Sequence, residues 1–302
     1  MKNYLLIFIL TIPCFFLKAQ NKAVVSQYMH NQYAINPAFA GSHETLSLFG
    51  SFRKKWIGIN GSPSGQFFSA HAPLKNDNMA LGISFQNQKY AVSGQTGFAF
   101  SYTYRLRTGE NHKLAFALNG GATFFSADWT DVKLFDPNDV SFNANERKTN
   151  PTAGFGVGWY GDNFFTGFSI PSFFIYDEYA NTSSVFDLSK SVYLVTGGYL
   201  FTLSPDWRLQ PSLMMSFKPG RQNYLDVNST LIYNDLLWVG LSYRTTQEIV
   251  AMVGYQVNPQ LRFAYSFDYT TGEIGNYNNG THEISIQYAF GYRIKTPNPK
   301  FF

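Results

Sequence analysis

The chain has 302 residues, of which 18% are aromatic and only 14% are charged, and its formal net charge is +4. Ordinary globular chains carry roughly 25% charged residues, so this composition is typical of a protein whose surroundings are partly lipid. The small net charge, without a basic stripe, argues against nucleic-acid binding.

The first residues have the organisation of an export signal. Lys2 provides the charged start, residues 4–16 the apolar run, and Ala19 a small residue at the expected cleavage site. The apolar run is shorter than the about 20 residues that a membrane-spanning helix needs. We therefore expect residues 1–19 to be a signal peptide. Because Cys14 is the only cysteine and lies within it, the mature protein would have no disulfide and no thiolate metal site.

The next stretch, residues 20–43, has no sustained alternation of apolar and polar residues. We expect it to be a periplasmic or plug segment that precedes the main domain. Its apolar side chains could anchor in a partner or in a lumen, and its amides could supply hydrogen bonds. The candidate residues for partner binding or plugging are Tyr28, Met29, Asn31, Gln32, Tyr33, Asn36, Pro37 and Phe39.

From residue 45 onward the apolar residues recur at every second position, which indicates β-strands. In the last such segment Ile284, Ile286 and Tyr288 point one way, while polar or small residues point the other way. This sorting suits lipid outside a barrel and water inside it. The predicted strands are residues 45–52, 64–72, 79–88, 95–106, 113–125, 152–159, 163–170, 191–201, 207–217, 224–233, 236–243, 248–257, 260–270 and 282–294.

The connections between these strands alternate in length. Those after the even-numbered strands are short, whereas most of those after the odd-numbered strands are longer. Outer-membrane barrels have short periplasmic turns, long external loops and an even strand number. The sequence therefore predicts an all-β fold, a transmembrane antiparallel up-and-down β-barrel of about 14 strands over residues 44–302. Both ends, including the start of residues 20–43, would lie on the periplasmic side.

Eight charged residues fall on the small or polar face of their strands by alternation. We favour a salt-bridge network that braces the wall, with solute selectivity as the alternative. The predicted lumen-facing charges are Arg105, Lys113, Arg208, Asp226, Arg244, Arg262, Asp268 and Glu283. Arg53 and Trp56 are predicted to follow the first strand at the opposite rim, where they either grip a partner or anchor at the membrane interface.

Little in the sequence indicates catalysis. The five histidines lack the spacing of metal ligands. A hydrolase would need a serine beside a histidine, and only His71 with Ser84 or Ser101 could be combined in this way. The acidic residues within 136–139 could hold calcium, but a solvated turn is the simpler interpretation. We predict no enzymatic activity, no cofactor and no metal site.

Several short motifs, ordered along nearly the whole chain, together resemble one family. They are residues 26–42 (SQYMHNQYAINPAFAGS), Arg53-x-x-Trp56-x-Gly58 with Gly61-x-Pro63, Ser169-Ile170-Pro171, Gln210-Pro211-Ser212, residues 237–244 (LWVGLSYR) and His282-Glu283-Ile284. The combination resembles the PorP/SprF family of outer-membrane proteins associated with type IX secretion in the Bacteroidota.

The resemblance implies a non-enzymatic membrane component that helps to export or surface-anchor particular cell-surface proteins, including gliding adhesins. It also implies contact with outer-membrane lipid, with periplasmic type IX secretion subunits and with a secreted client protein. The residues themselves leave one other function open, an outer-membrane channel for small or hydrophobic solutes.

Overall fold

The computed structural model describes residues 26–132, 144–175, 185–219 and 223–291. The expected signal peptide and the acidic cluster at 136–139 lie outside these ranges. Within them, no helix combines the length and the apolarity needed to cross a bilayer.

The described chain consists mainly of β-strands, and they follow the predicted segments closely. The strands are β1 (Leu46–Lys54), β2 (Ser64–Pro73), β3 (Met79–Tyr90), β4 (Ser93–Arg107), β5 (Lys113–Ala127), β6 (Glu146–Tyr160), β7 (Phe164–Ile170), β8 (Phe174–Ile175), β9 (Val185–Phe186), β10 (Tyr193–Tyr199), β11 (Phe201–Thr202), β12 (Trp207–Phe217), β13 (Tyr224–Tyr233), β14 (Leu237–Arg244), β15 (Glu248–Gln256), β16 (Leu261–Thr270) and β17 (Thr281–Phe290).

Fourteen of these strands form a closed antiparallel barrel. Each wall strand pairs with its neighbours in chain order, β1 pairs with β17, and β10 pairs with both β7 and β12. β11 extends β10 along β12, while β8 and β9 pair only with each other. The prediction of a 14-stranded barrel is confirmed.

The two faces of the wall differ in chemistry. On β4, Phe100 and Tyr102 are exposed on the outside, whereas Ser101 and Thr103 are buried on the inside. The outward aromatic and aliphatic side chains make the apolar band that membrane barrels present to lipid. The inward side chains are small, polar or charged, so the interior can hold a polar segment of chain.

Many predicted boundaries differ from the structure by one or two residues, and three of the differences affect the interpretation. β1 continues to Lys54, so Arg53 lies within the strand and opposite Glu283 rather than beyond the strand end. β6 begins at Glu146, earlier than the predicted residue 152, because its first residues are polar on both faces and show no apolar alternation. β17 ends at Phe290, short of the predicted residue 294, and residues from 292 onward are not described.

The barrel has a short-turn end and a long-loop end. The short-turn end holds the connections that follow β2, β4, β6, β11, β13 and β15, and the long-loop end holds the others. Residues 26–43, which we call the lumenal segment, contact inward-facing side chains of the wall. The segment contains three short 3-10 helices, Tyr28–His30, Gln32–Ala34 and Pro37–Phe39.

The lumenal segment runs between the two ends of the barrel. Ser26 bonds to Asp268 and Glu283, which lie near the long-loop ends of β16 and β17. The segment then reaches the short-turn end, where β1 begins at Leu46. The sequence predicts that the segment starts on the periplasmic side, which is the side of the short turns. Ser26 instead lies near the long-loop end, because the two carboxylates that bond it belong to that end of the wall.

Candidate functional site in the barrel lumen

The lumenal segment is anchored at its first residues by acidic side chains. The Ser26 amide donates to Glu283 Oε2 at 2.9 Å, and its hydroxyl donates to Asp268 Oδ2 at 2.6 Å. The side-chain Nε2 of Gln27 donates to the Glu283 carbonyl oxygen at 3.3 Å, and the side-chain Oε1 of Gln27 accepts from Ser285 Oγ. These bonds satisfy main-chain and side-chain groups that are buried from water.

The next two side chains of the segment are completely buried. Tyr28 and Met29 have no exposed surface, and the Tyr28 hydroxyl donates to Asp226 Oδ1 at 3.3 Å. Burial, and secondarily the charge of Asp226, raises the pKa of Tyr28 well above its usual value. The apolar residues that pack with them come from the segment and four wall strands: Ile35, Leu194, Met214, Tyr224, Val250 and Met252.

His30 lies against the aromatic ring of Trp238, with the ring centroids 4.8 Å apart. The guanidinium of Arg262 covers the same Trp238 ring at 4.2 Å. Burial, and then the positive charge of Arg262, lowers the pKa of His30 to about 3. His30 is therefore neutral at physiological pH.

Tyr33 fits against a glycine of the wall. A Cβ atom on Gly82 would lie 2.5 Å from the Tyr33 hydroxyl oxygen, which is also 2.9 Å from Ser101 Oγ. The Tyr33 ring lies 5.0 Å from the His71 ring, and His71 Nδ1 accepts from the Gly41 amide at 3.0 Å. The histidine and serine considered for hydrolysis therefore hold the lumenal segment.

Two amide side chains of the segment differ in how they are bonded. Asn31 donates to Ser69 Oγ at 3.3 Å. Gln32 is 2% exposed, and neither atom of its amide has a hydrogen-bond partner in the described chain.

Asn36 joins two strands of the wall. Its Nδ2 donates to the carbonyl oxygens of Val157 on β6 at 2.9 Å and of Phe168 on β7 at 3.2 Å. Its Oδ1 accepts from the Ala38 amide and caps the 3-10 helix that starts at Pro37. The wall has glycine at the nearest positions, including Gly167, where a Cβ atom would lie 2.7 Å from Nδ2.

Wall side chains also bind main-chain carbonyl oxygens of the lumenal segment. Ser169 Oγ donates to the Ile35 oxygen at 2.7 Å, and Thr103 Oγ1 donates to the Pro37 oxygen at 2.9 Å. Phe39 then packs its ring 5.5 Å from that of Tyr160 in a buried apolar cluster. The interior of this barrel is thus built to hold polypeptide.

Arg53 belongs to a buried charge cluster near the long-loop end. Its Nη2 lies 2.6 Å from Asp268 Oδ2, and its Nη1 lies 3.6 Å from Glu283 Oε2. Only 5% of Arg53 is exposed, so the predicted position at the rim is wrong. The negative charges of Asp268 and Glu283 stabilise the Arg53 side chain inside the lumen.

Arg244 extends the same cluster. Its guanidinium bonds Asp226 at 2.9 Å and Glu248 at 2.5 Å, and it lies 3.7 Å from Asp268. Glu248 was absent from the sequence-based candidates, although its place at the first inward position of β15 follows from the same alternation. The cluster matches a brace between strands, since each charge has an opposite neighbour.

Lys55 and Trp56 follow the cluster at the long-loop end. Lys55 Nζ lies 3.8 Å from Glu248 Oε1 and 5.4 Å from the centre of the Trp56 ring. Burial, and then the charge of Arg53, lowers the pKa of Lys55 to about 8. Trp56 is half-buried, and its amide donates to Thr281 Oγ1 at 3.3 Å.

A second set of charges lies at the short-turn end. Arg105 is fully buried, and its guanidinium donates to the Gly41 oxygen at 2.7 Å and to the Asp77 oxygen at 2.6 Å. Glu44 accepts from both Arg105 at 3.2 Å and Lys113 at 2.5 Å. Arg105 therefore ties the end of the lumenal segment to the wall.

The remaining predicted lumenal charges make separate contacts. Arg208 pairs with Asp235 of the β13–β14 turn. Arg262 donates to Gln256 Oε1 at 2.9 Å and to Gln287 Oε1 at 3.3 Å. The eight predicted charges are thus divided between the two ends of the lumen. Within the described ranges, no group of three or more His, Cys, Asp or Glu residues could hold a metal ion.

The model of the family described as type IX secretion system membrane protein PorP/SprF matches residues 17–288. No curated protein matches the sequence. Among solved structures, the chain is similar to the Acinetobacter baumannii outer membrane protein Omp33, with 10% identity, coverage of 82% of this chain and 100% of that one, and a TM-score of 0.47. It is also similar to the Ralstonia pickettii toluene transporter TbuX, with 8% identity, coverage of 88% and 94%, and a TM-score of 0.49.

Proposed function

The chain belongs to the PorP/SprF family of type IX secretion system membrane proteins, and from this we propose that it assists the export or surface attachment of specific cell-surface proteins, such as gliding adhesins. It does so as a non-enzymatic outer-membrane barrel whose lumen is occupied by its own residues. Its partners are periplasmic subunits of the secretion machine and the secreted client.

The observation that carries this proposal beyond family membership is the packing of the lumenal segment. From Ser26 to Ser42 every residue except Ala34 is buried, and the bonds of Asn36 and Ser26 reach opposite parts of the wall. A protein that conducts small solutes needs an open path. A barrel filled with its own chain is better suited to hold partners at its two ends.

The charges support the same interpretation. Arg53, Asp226, Arg244, Asp268 and Glu283 are each at most 5% exposed and bond one another or the lumenal segment. Charges that select a permeating solute would face an aqueous path. These charges instead brace the wall and hold the segment.

Deletion of the gene tests the proposal. The expected result is an intact envelope with one or a few exported proteins missing from the surface, measured by protease shaving of intact cells and mass spectrometry. Outer-membrane proteins assembled by other routes serve as the control, and a plasmid copy should restore display. Normal surface display of every exported protein in the deletion strain would refute the proposal.

A further inference from the structure

The outer face of the barrel changes from apolar to basic where β1 and β17 reach the long-loop end. On β1 the outward residue Phe52 is followed by Lys54, and on β17 the outward residue Ile284 is preceded by His282. Phe52 and Ile284 are 44% and 56% exposed, as expected for side chains that contact lipid. Lys54 and His282 therefore lie where the apolar band of this part of the wall ends.

The imidazole ring of His282 is held in place on this outer face. Lys54 lies directly opposite His282 in the pairing of β1 with β17. The hydroxyl oxygen of Tyr265, on the neighbouring strand β16, lies 2.6 Å from His282 Nδ1 and fixes the direction of the ring. The other ring nitrogen, Nε2, has no hydrogen-bond partner within the described ranges, so it can bind a ligand.

Two lysines supply positive charge beside this ring. The Lys54 ammonium donates to the Ser62 carbonyl oxygen at 2.8 Å, and its other two N–H bonds remain for a ligand. Lys89 is exposed in the same outward row, on the far side of Ser64, about 10 Å from Lys54 at the usual spacing of strands. Neither lysine is paired with a carboxylate in the part of the chain that the structure describes. We call Lys54, Lys89 and His282 the outer basic site.

An apolar recess lies on the same strand, over Gly50. A Cβ atom on Gly50 would meet a single neighbour within 4 Å, Ile286 Cγ2 at 3.7 Å. Across the two adjacent strands Gly50 is flanked by Ile286 and Phe68, which are 44% and 43% exposed. The recess is about 13 Å from Lys54 along the strand, at about 3.3 Å per residue. A hydrocarbon chain whose polar end is at Lys54 can reach it.

The combination of positive charge and an apolar recess indicates the class of ligand. A free anion would bind the lysines and leave the recess unused, and a zwitterionic lipid would gain little from two unpaired cations. Basic residues beside a membrane attract lipids with anionic headgroups. The long loops of outer-membrane barrels are external, so the lipid at this level belongs to the outer leaflet.

We propose that the outer basic site binds a phosphorylated lipid of the outer leaflet. A phosphate of the headgroup accepts from Lys54 and from His282 Nε2, while His282 Nδ1 accepts from the Tyr265 hydroxyl. A second anionic group of the headgroup reaches Lys89, and one acyl chain lies in the recess over Gly50. The site is on the outside of the wall, so it stands or falls independently of the proposed function.

Binding of diphosphoryl lipid A to the purified barrel in a neutral detergent tests the proposal, with native mass spectrometry to count the bound lipid. The native protein should bind one molecule. Lys54→Gln combined with Lys89→Gln should weaken the affinity about 30-fold, since each lysine beside an anionic lipid contributes about a factor of five. Heat-modifiable migration in electrophoresis shows that each barrel has folded.

The matched control is Lys75→Gln combined with Lys190→Gln. These lysines are exposed in the β2–β3 turn and just before β10, and their replacement changes the net charge equally. The control variant should bind lipid A like the native protein. Equal losses of affinity in the two pairs, or an unchanged affinity after replacement of Lys54 and Lys89, would overturn the inference.

A third variant and two competitors separate the acyl chain from the headgroup. Gly50→Leu fills the recess from the lipid side, so it should weaken lipid A binding while the stability of the barrel in denaturant unfolding is retained. Neither inorganic phosphate nor phosphatidylcholine should displace lipid A. Displacement by phosphate together with unchanged binding in Gly50→Leu would assign the site to a free anion, and displacement by phosphatidylcholine would show that the charges select nothing. Either result would refute the proposal.

Discussion

The side-chain oxygen of Asn36 occupies the space that a Cβ atom on Gly156 would need. The same side chain donates to the carbonyl oxygens of Val157 and Phe168, which face each other on β6 and β7. The wall and the lumenal segment are therefore fitted to each other at this point. A methyl group on the glycine must displace either the segment or the wall.

We predict that Gly156→Ala loosens the lumenal segment and destabilises the barrel by about 1–3 kcal/mol, the usual cost of overpacking. Denaturant unfolding in detergent measures the loss of stability, and limited proteolysis measures the exposure of the segment. Gly120→Ala is the control, because its Cβ atom would meet only the Thr152 oxygen, at 3.9 Å. Equal protease sensitivity in the two variants would contradict the prediction.

We predict that Asn36→Asp releases the lumenal segment without altering the wall, unlike Gly156→Ala. The change places a carboxylate oxygen against two carbonyl oxygens that now accept from Nδ2, and loss of these bonds costs about 1–3 kcal/mol. Planar-bilayer recording should find little steady conductance in the native protein and frequent openings in the variant. Asn163→Asp, at an exposed position of the β6–β7 turn, should behave like the native protein.

A wide, steady pore in the native protein would contradict this prediction. It would also favour a channel for solutes over a plugged barrel. A variant without residues 26–43 gives the conductance expected of an empty lumen, against which the openings of Asn36→Asp are scaled.

We predict that His30 makes the packing of the lumenal segment in the barrel sensitive to pH. Burial and the charge of Arg262 lower its pKa to about 3 in the folded protein, against an ordinary value of 6.5. Because the folded pKa is the lower one, stability is complete above about pH 6.5 and is lost as the pH falls toward 3. Protease sensitivity of the lumenal segment should therefore rise between pH 6.5 and 4.

His30→Phe removes the titrating group while keeping a ring against Trp238, which lies 4.8 Å away. This variant should lose the part of the pH response between pH 6.5 and 4. An unchanged response would assign the effect to carboxylates elsewhere in the lumen.

The strands could be predicted because lipid and water impose opposite chemistry on alternate residues. The bounds of β12 and β13, Trp207–Phe217 and Tyr224–Tyr233, coincide with the predicted ones. The start of β6 could not be found in this way, since its outward residues Arg147 and Thr149 are as polar as its inward residues. Alternation indicates a strand only where its two faces differ.

The path of the lumenal segment could not be predicted. Its short 3-10 helices have no sustained period, and its fit depends on glycines such as Gly156 and Gly167, which the sequence alone indicates only as small inward residues. Arg53 was different, because its parity with Ser47 and Phe49, both buried, already pointed inward. A charge at this position predicts the end of the strand, whereas Asp268 and Glu283 neutralise it inside the lumen.

The last prediction concerns Arg53 and its buried partners. Arg53→Ala leaves Asp268 and Glu283, which are 0% and 1% exposed, without their nearest cation. Removing one partner of a buried ion pair typically costs about 3–5 kcal/mol. The exposed pair of Arg107 and Asp77, 3.4 Å apart, provides the control, and Arg107→Ala should cost about 0–1 kcal/mol.

A second substitution shows whether the loss comes from the uncompensated charge. Asp268→Asn in the Arg53→Ala background removes one of the stranded carboxylates but keeps an acceptor for Ser26, which now donates to Asp268 Oδ2 at 2.6 Å. The double variant should therefore be more stable than Arg53→Ala alone in denaturant unfolding. The single variant Asp268→Asn completes the comparison. If the losses of stability caused by Arg53→Ala and by Asp268→Asn simply add in the double variant, the carboxylate and the guanidinium act independently. The cluster is then not the brace that holds the start of the lumenal segment.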